Sequence, residues 1–253
     1  MSTFENTLLP GWYADAKDPL VGASGEPYKL PSYWKNVLLA FFSFSAGWAD
    51  VILVVRTKVF VALLTGNLVF AGVTLAPDVA ARAGVFLPIY VYFLIVLGNA
   101  CGVLSYHYLR ELPRYSLWCA LVCAGMLTAS QLIRIPPKMS TGEEYVPEWV
   151  QSVLVSFTFG LQNALTLEGA IGCNTSYHTG NFHKVSALPY LLYKGVPREK
   201  LAPLMQPFIG LSALLAGSIC AGGFIGFFSI ESIFGFLPFA TLQVVAMALN
   251  DFL

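Results

Sequence analysis

The residue best placed to do chemistry is Asp50, a carboxylate inside a long apolar stretch. At membrane depth a carboxylate is costly unless it is paired, hydrated or protonated. Asp50 is therefore read either as a site for a proton or a cationic or polar solute, or as a structural hydrogen-bond partner joining the halves, or as a residue close enough to Arg56 and Lys58 to lie at the membrane surface. Further along, Thr65-Gly66-Asn67 interrupts a second apolar run. A glycine lets the backbone leave helical geometry, and the Thr hydroxyl and Asn amide can cap a new helix while offering hydrogen bonds. A helix N-terminus starting there also favours an anionic group. A capped turn with no ligand is the plainer alternative.

Both features occur twice. Ser43-Phe44-Ser45-Ala46-Gly47-Trp48-Ala49-Asp50 is matched by Ser156-Phe157-Thr158-Phe159-Gly160-Leu161-Gln162-Asn163, and Thr65-Gly66-Asn67 by Thr179-Gly180-Asn181. Gly47 and Gly160 are 113 positions apart and Thr65 and Thr179 are 114 apart, so two copies differ by one inserted residue. Such a fixed offset is the mark of an internal duplication. Asn163, with Gln162 beside it, then takes the place of Asp50. The expected substrate-binding set is Asp50, Thr65, Gly66, Asn67, Gln162, Asn163, Thr179, Gly180 and Asn181, at the interface between repeats where transporters of this build place their sites. Glu168, His178 and His183 lie close by in sequence. A histidine there is either a proton relay, given an ordinary pKa of about 6.5, or an interfacial residue satisfied by water.

These residues must be positioned by membrane-spanning helices. The 253 residues are 57% hydrophobic and only 11% charged, with a mean hydropathy of +0.68, whereas an ordinary soluble domain is about 25% charged. Several windows reach the roughly 20 apolar residues that cross a bilayer core. The fold class is all-α, a polytopic transmembrane helical bundle of about six spans built from two pseudo-symmetric repeats with broken Thr-Gly-Asn segments. Residues 1–35 form a polar, largely irregular tail ending in the aromatic-plus-cation anchor Tyr33-Trp34-Lys35. The transmembrane domain covers 36–250, repeat one at about 36–135 and repeat two at about 147–250. Expected spans are 36–55, 83–109, 115–135, 149–167, 204–228 and 233–249. Whether the two Thr-Gly-Asn segments cross or only dip inward is left open by composition, and His183-Lys184 favours dipping, because a central Lys facing lipid costs about 2.5 to 3.5 kcal/mol.

With three spans per half, the halves are inverted. Nine of the 14 Lys and Arg residues then fall on one side, which places both termini in the cytoplasm. Asn174-Thr175-Ser176 fits a glycosylation acceptor, but it falls on the cytoplasmic side and is read as accidental. Gly98-x-x-x-Gly102 and Gly222-x-x-x-Gly226 are helix-packing faces. They are read as equivalent members of the two repeats and as the surfaces for a homo-oligomer.

Formal net charge is +0, which gives no electrostatic argument for nucleic acid. Cys101, Cys119, Cys123, Cys173 and Cys220 show no CxxC pairing, so neither zinc nor a disulfide framework is indicated. The chain has no nucleophile elbow, zinc-protease motif or P-loop. No enzyme activity, cofactor or metal is expected.

Gly47-x-x-Asp50 with Leu64-Thr65-Gly66-Asn67, and Gly160-Leu161-Gln162-Asn163-Ala164 with His178-Thr179-Gly180-Asn181, resemble the YoaK family of small membrane proteins, the DUF1275 domain. The resemblance covers about 37–249 and implies about six spans with no established activity. The long polar N-terminal tail departs from the compact bacterial members. Two functions stay open. One is a small transporter or channel-like protein for a polar or ionic solute or a proton, and the other is a structural or accessory membrane protein whose repeated polar residues only hold the halves together, with the lipid bilayer as partner in either case.

Overall fold

The structure, a computed structural model, describes residues 32–85, 87–133, 147–169, 171–173, 175, 185–195, 197–228 and 235–250. These form nine helices, and no strand occurs among the described residues. In chain order they are α1 (Ser32–Thr57), α2 (Leu64–Thr74), α3 (Pro77–Ala83), α4 (Ile89–Leu109), α5 (Tyr115–Leu132), α6 (Trp149–Glu168), α7 (Leu188–Tyr193), α8 (Arg198–Phe227) and α9 (Leu237–Leu249).

Four helices are long and apolar enough to cross a bilayer, over Tyr33–Thr57, Ile89–Leu109, Tyr115–Leu132 and Leu204–Phe227. This is a membrane protein, and its ends follow local chemistry. Tyr33, Trp34 and Lys35, expected in the tail, lie in the first helix. Pro88 sets an extended entry to α4, which therefore starts later than hydropathy alone indicates. Pro77 begins α3, and Gly84 ends it in the left-handed region at φ 66°.

The helix α6 is long enough to span, about 30 Å at 1.5 Å per residue, yet it is more polar than the other four. Its position explains this. Thirteen of its twenty residues are buried, because α4, α5 and α1 surround it. A helix enclosed by protein needs no apolar face toward lipid.

Packing follows a reciprocal scheme. The first long helix, α1, packs mainly on α8 and also on α9, while α6 packs mainly on α4 and also on α5. The helices α5 and α9 pack on each other, as do α1 and α6. Backbones approach closely at both main crossings. A Cβ at Gly47 would strike the Leu214 carbonyl, and one at Gly217 would strike that of Phe44. At the other crossing a Cβ at Gly160 would strike the Asn99 carbonyl, and one at Gly102 that of Phe157.

This pattern corrects the reading of the glycine pairs. Gly98 and Gly102 of α4 press against Val153 and Phe157 of α6, so that face is already used inside the chain. Nothing lies within 4 Å of a Cβ built at Gly222 or Gly226. The residue of α8 that behaves like Gly102 is Gly217.

The core comprises three apolar clusters. One joins α1, α5, α6 and α9 around Phe42, Leu161 and Met247. A second joins α1, α6, α8 and α9 around Trp48, Phe159 and Phe236. The third joins the connector after α1, α2 and α4 around Val59, Val91 and Tyr92.

Candidate functional site

The helix α1 ends at Thr57, and Lys58 turns the chain in the left-handed region at φ 56°. The connector does not leave the protein. Val59, Val61 and Ala62 are fully buried, so the chain runs back alongside α1 before α2 begins. Asp50 lies seven positions before Thr57, which puts its Cα about 10 Å inside the end of α1. Irregular backbone at such depth survives only when its polar groups find partners within the protein.

Asp50 supplies most of those partners. Its Oδ1 accepts the Val61 and Ala62 N–H groups at 2.7 and 2.8 Å, and its Oδ2 accepts the Leu63 N–H at 3.1 Å. The side chain is 4% exposed. The carboxylate faces the positive end of α2 from a neighbouring helix, where a helix dipole favours negative charge. Among the described residues it has no cationic partner.

Thr65, Gly66 and Asn67 form the first turn of α2, which starts at Leu64. The anion expected at this helix start is thus the chain's own Asp50. Asn67 is fully buried and holds the connector from the other side, its Oδ1 accepting the Phe60 N–H at 2.8 Å and its Nδ2 donating to the Phe60 carbonyl. A Cβ at Gly66 would collide with the Phe60 ring, so glycine here provides close approach. Thr65 is exposed.

The later helices complete the clamp. Ser156 Oγ of α6 lies 3.0 Å from the Ile95 carbonyl and 3.3 Å from that of Val61, so its single proton is shared between α4 and the connector. Ser152 Oγ lies 2.9 Å from Thr57 Oγ1, which also reaches the Leu53 carbonyl. Neither serine was singled out as a site residue by sequence. The repeat of Ser43 at Ser156 was the available signal.

Gln162 and Asn163 lie on the buried part of α6. Gln162 Nε2 donates to the Phe42 carbonyl at 3.3 Å and to Thr175 Oγ1 at 3.1 Å. Thr166 Oγ1 also lies 3.1 Å from Thr175 Oγ1. Gln243 of α9 reaches the Thr158 carbonyl at 3.2 Å. The oxygens Gln162 Oε1, Asn163 Oδ1, Ser43 Oγ and Gln243 Oε1 are buried and have no hydrogen-bond partner among the described residues, which is uncommon for buried polar atoms.

Glu168 lies apart from this set. It ends α6 and is held by α4, with Arg110 Nη1 at 2.9 Å and His107 Nε2 at 3.6 Å. Thr179, Gly180, Asn181, His178 and His183 lie outside the described residues. The structure therefore brings Asp50 and Asn67 together on one connector and Gln162 close to Phe42 and Thr175. Among the described residues no group of three or more His, Cys, Asp or Glu side chains could hold a metal. Cys119, Cys123 and Cys173 are buried, Cys101 and Cys220 are exposed, and all five are free thiols. An apolar cleft of about 350 Å³ between the end of α2, α3 and the start of α4 shares no residue with the candidate set.

A family described as "Protein of unknown function (DUF1275)" matches residues 38–249. The chain belongs to this DUF1275 family. The match takes in both members of the repeated polar set and leaves out the N-terminal tail. No curated protein and no solved structure matches the chain.

Proposed function

We propose that this DUF1275 protein is a six-span membrane protein of two inverted repeats that moves a small polar solute through a site between them. The observation that carries the proposal is the re-entry of the chain at 58–63, where Asp50 and Asn67 of one half and Ser156 of the other hold non-helical backbone. Backbone of that kind at membrane depth is characteristic of transporters built from inverted repeats.

The packing supports the repeat. Gly47 and Gly160 are 113 positions apart, as are Phe44 and Phe157, while Gly102 and Gly217, and Asn99 and Leu214, are 115 apart. These eight residues are among those that meet at the two crossings. One crossing therefore maps onto the other. With α6 and α9 added to the four apolar helices the spans number six, and both termini are cytoplasmic by the positive-charge bias.

A second reading has one specific observation in its favour. The Asp50 carboxylate is fully engaged by backbone N–H groups, as a purely structural residue would be. In that case the protein is an accessory membrane component without flux. Reconstitution separates the two. Proteoliposomes carrying the full chain are given inward gradients of urea, glycerol, ammonium chloride and sodium nitrate, and entry is followed by light scattering. Transport predicts entry of at least one faster than in empty vesicles, and the accessory reading predicts none.

A further inference from the structure

The short helix α7 consists of leucine, proline and tyrosine alone, and none of its six residues is buried. Tyr190, Leu192 and Tyr193 are 62%, 57% and 84% exposed. Six helical residues extend about 9 Å, too little to cross a bilayer, and contiguous apolar surface of this kind calls for a partner other than water. The other short helix, α3, carries Asp78 and Arg82 and buries Ala80, so shortness alone does not produce the pattern.

The following helix fixes the depth at which α7 ends. Gly195 turns the chain in the left-handed region at φ 66°, and Pro197 leads into α8. That helix starts at Arg198, six positions before its apolar stretch opens at Leu204, or about 9 Å along the axis. The headgroup layer is roughly 5 to 8 Å deep on each side of the hydrocarbon. The end of α7 is thus tied to headgroup level, where tyrosine rings are favoured. Charge then narrows the partner. Residues 169–198 contain no Asp or Glu but carry Lys184, Lys194 and Arg198. Lys194 is exposed, and its Nζ lies 5.8 Å from the centre of the Tyr190 ring. A ring face attracts an ammonium without neutralising it, and among the described residues no carboxylate pairs with Lys194.

We propose that α7 lies in the membrane interface and that Lys194, seated over Tyr190, holds the headgroup of an anionic phospholipid. The leucines and tyrosines rest at the boundary between headgroups and acyl chains, and the ammonium donates to the lipid phosphate. This contact goes beyond solute movement and holds whether or not a solute passes.

The test uses the full chain in phosphatidylcholine nanodiscs, with all five cysteines replaced and a bimane fluorophore on Leu192→Cys. Quenching is compared for spin-labelled phosphatidylglycerol, spin-labelled phosphatidylcholine and aqueous acrylamide. Both lipids are expected to quench, phosphatidylglycerol about fivefold more strongly, the worth of one basic residue near an anionic surface. Lys194→Gln should bring the two lipids level while the phosphatidylcholine signal persists. Quenching by acrylamide alone would place α7 in water and overturn the proposal. Quenching by neither lipid nor acrylamide would mean that protein covers the helix, and would overturn it too. Equal quenching by both lipids, or a preference that survives Lys194→Gln, overturns the assignment of the headgroup to Lys194.

Discussion

Three backbone donors depend on one carboxylate at Asp50. Asp50→Ala would leave the Val61, Ala62 and Leu63 N–H groups buried without an acceptor, at a cost of about 3 kcal/mol or more. Asp50→Asn keeps one acceptor oxygen and should cost less, about 1 to 2 kcal/mol. Asn67→Ala removes both bonds to Phe60 and should cost about 2 kcal/mol. Thermal unfolding in detergent ranks them, and an unchanged midpoint in Asp50→Ala would show that the carboxylate is not a cap. Sequence located Asp50 and Asn67 because polar residues stand out in apolar stretches. It could not give their partners, since a bond from residue 50 to residues 61–63 requires a chain reversal that hydropathy does not encode. The clamp role of Ser156 was hidden more deeply, because a serine in an apolar helix is ordinary until a second helix approaches it.

Close crossings organise the elements. Gly160→Ala or Gly102→Ala would push a Cβ into the Asn99 or Phe157 carbonyl, and overpacking of this kind costs about 1 to 3 kcal/mol. Gly222→Ala and Gly226→Ala meet open space and should stay within about 0.5 kcal/mol of wild type. A detergent stability series over the four variants checks the contrast, and equal losses in all four would contradict the helix pairing. The glycine spacings were visible in sequence, but the pairing of Gly98-x-x-x-Gly102 with Gly222-x-x-x-Gly226 was misplaced. Spacing identifies a face without naming the helix that covers it, and Gly217 has no glycine four residues away to announce it. The spans of α1, α5 and α8 were legible to within a few residues because their lipid-facing surfaces must be apolar, whereas that of α4 starts six residues later than expected, just after Pro88. The span at 149–167 was legible as well, but not that α6 has protein on nearly every side, since its polarity alone does not name the helices that enclose it.

For the whole molecule, the reciprocal packing of α1 on α8 and of α6 on α4 interlocks the two halves. Neither half retains the main partner of its own first helix. Residues 1–133 or 147–253 expressed alone should therefore be degraded or aggregated, while co-expression should restore both, as read by blotting of membranes. A half that accumulates alone as a folded species would contradict the interlock. The most direct measurement of the inverted-repeat account uses a chain with all five cysteines replaced, to which Thr65→Cys or Thr179→Cys is added. Each is exposed to an impermeant thiol reagent from one membrane face at a time. The account predicts labelling of Thr65→Cys from the non-cytoplasmic face and of Thr179→Cys from the cytoplasmic face. Labelling of both positions from the same face would contradict it.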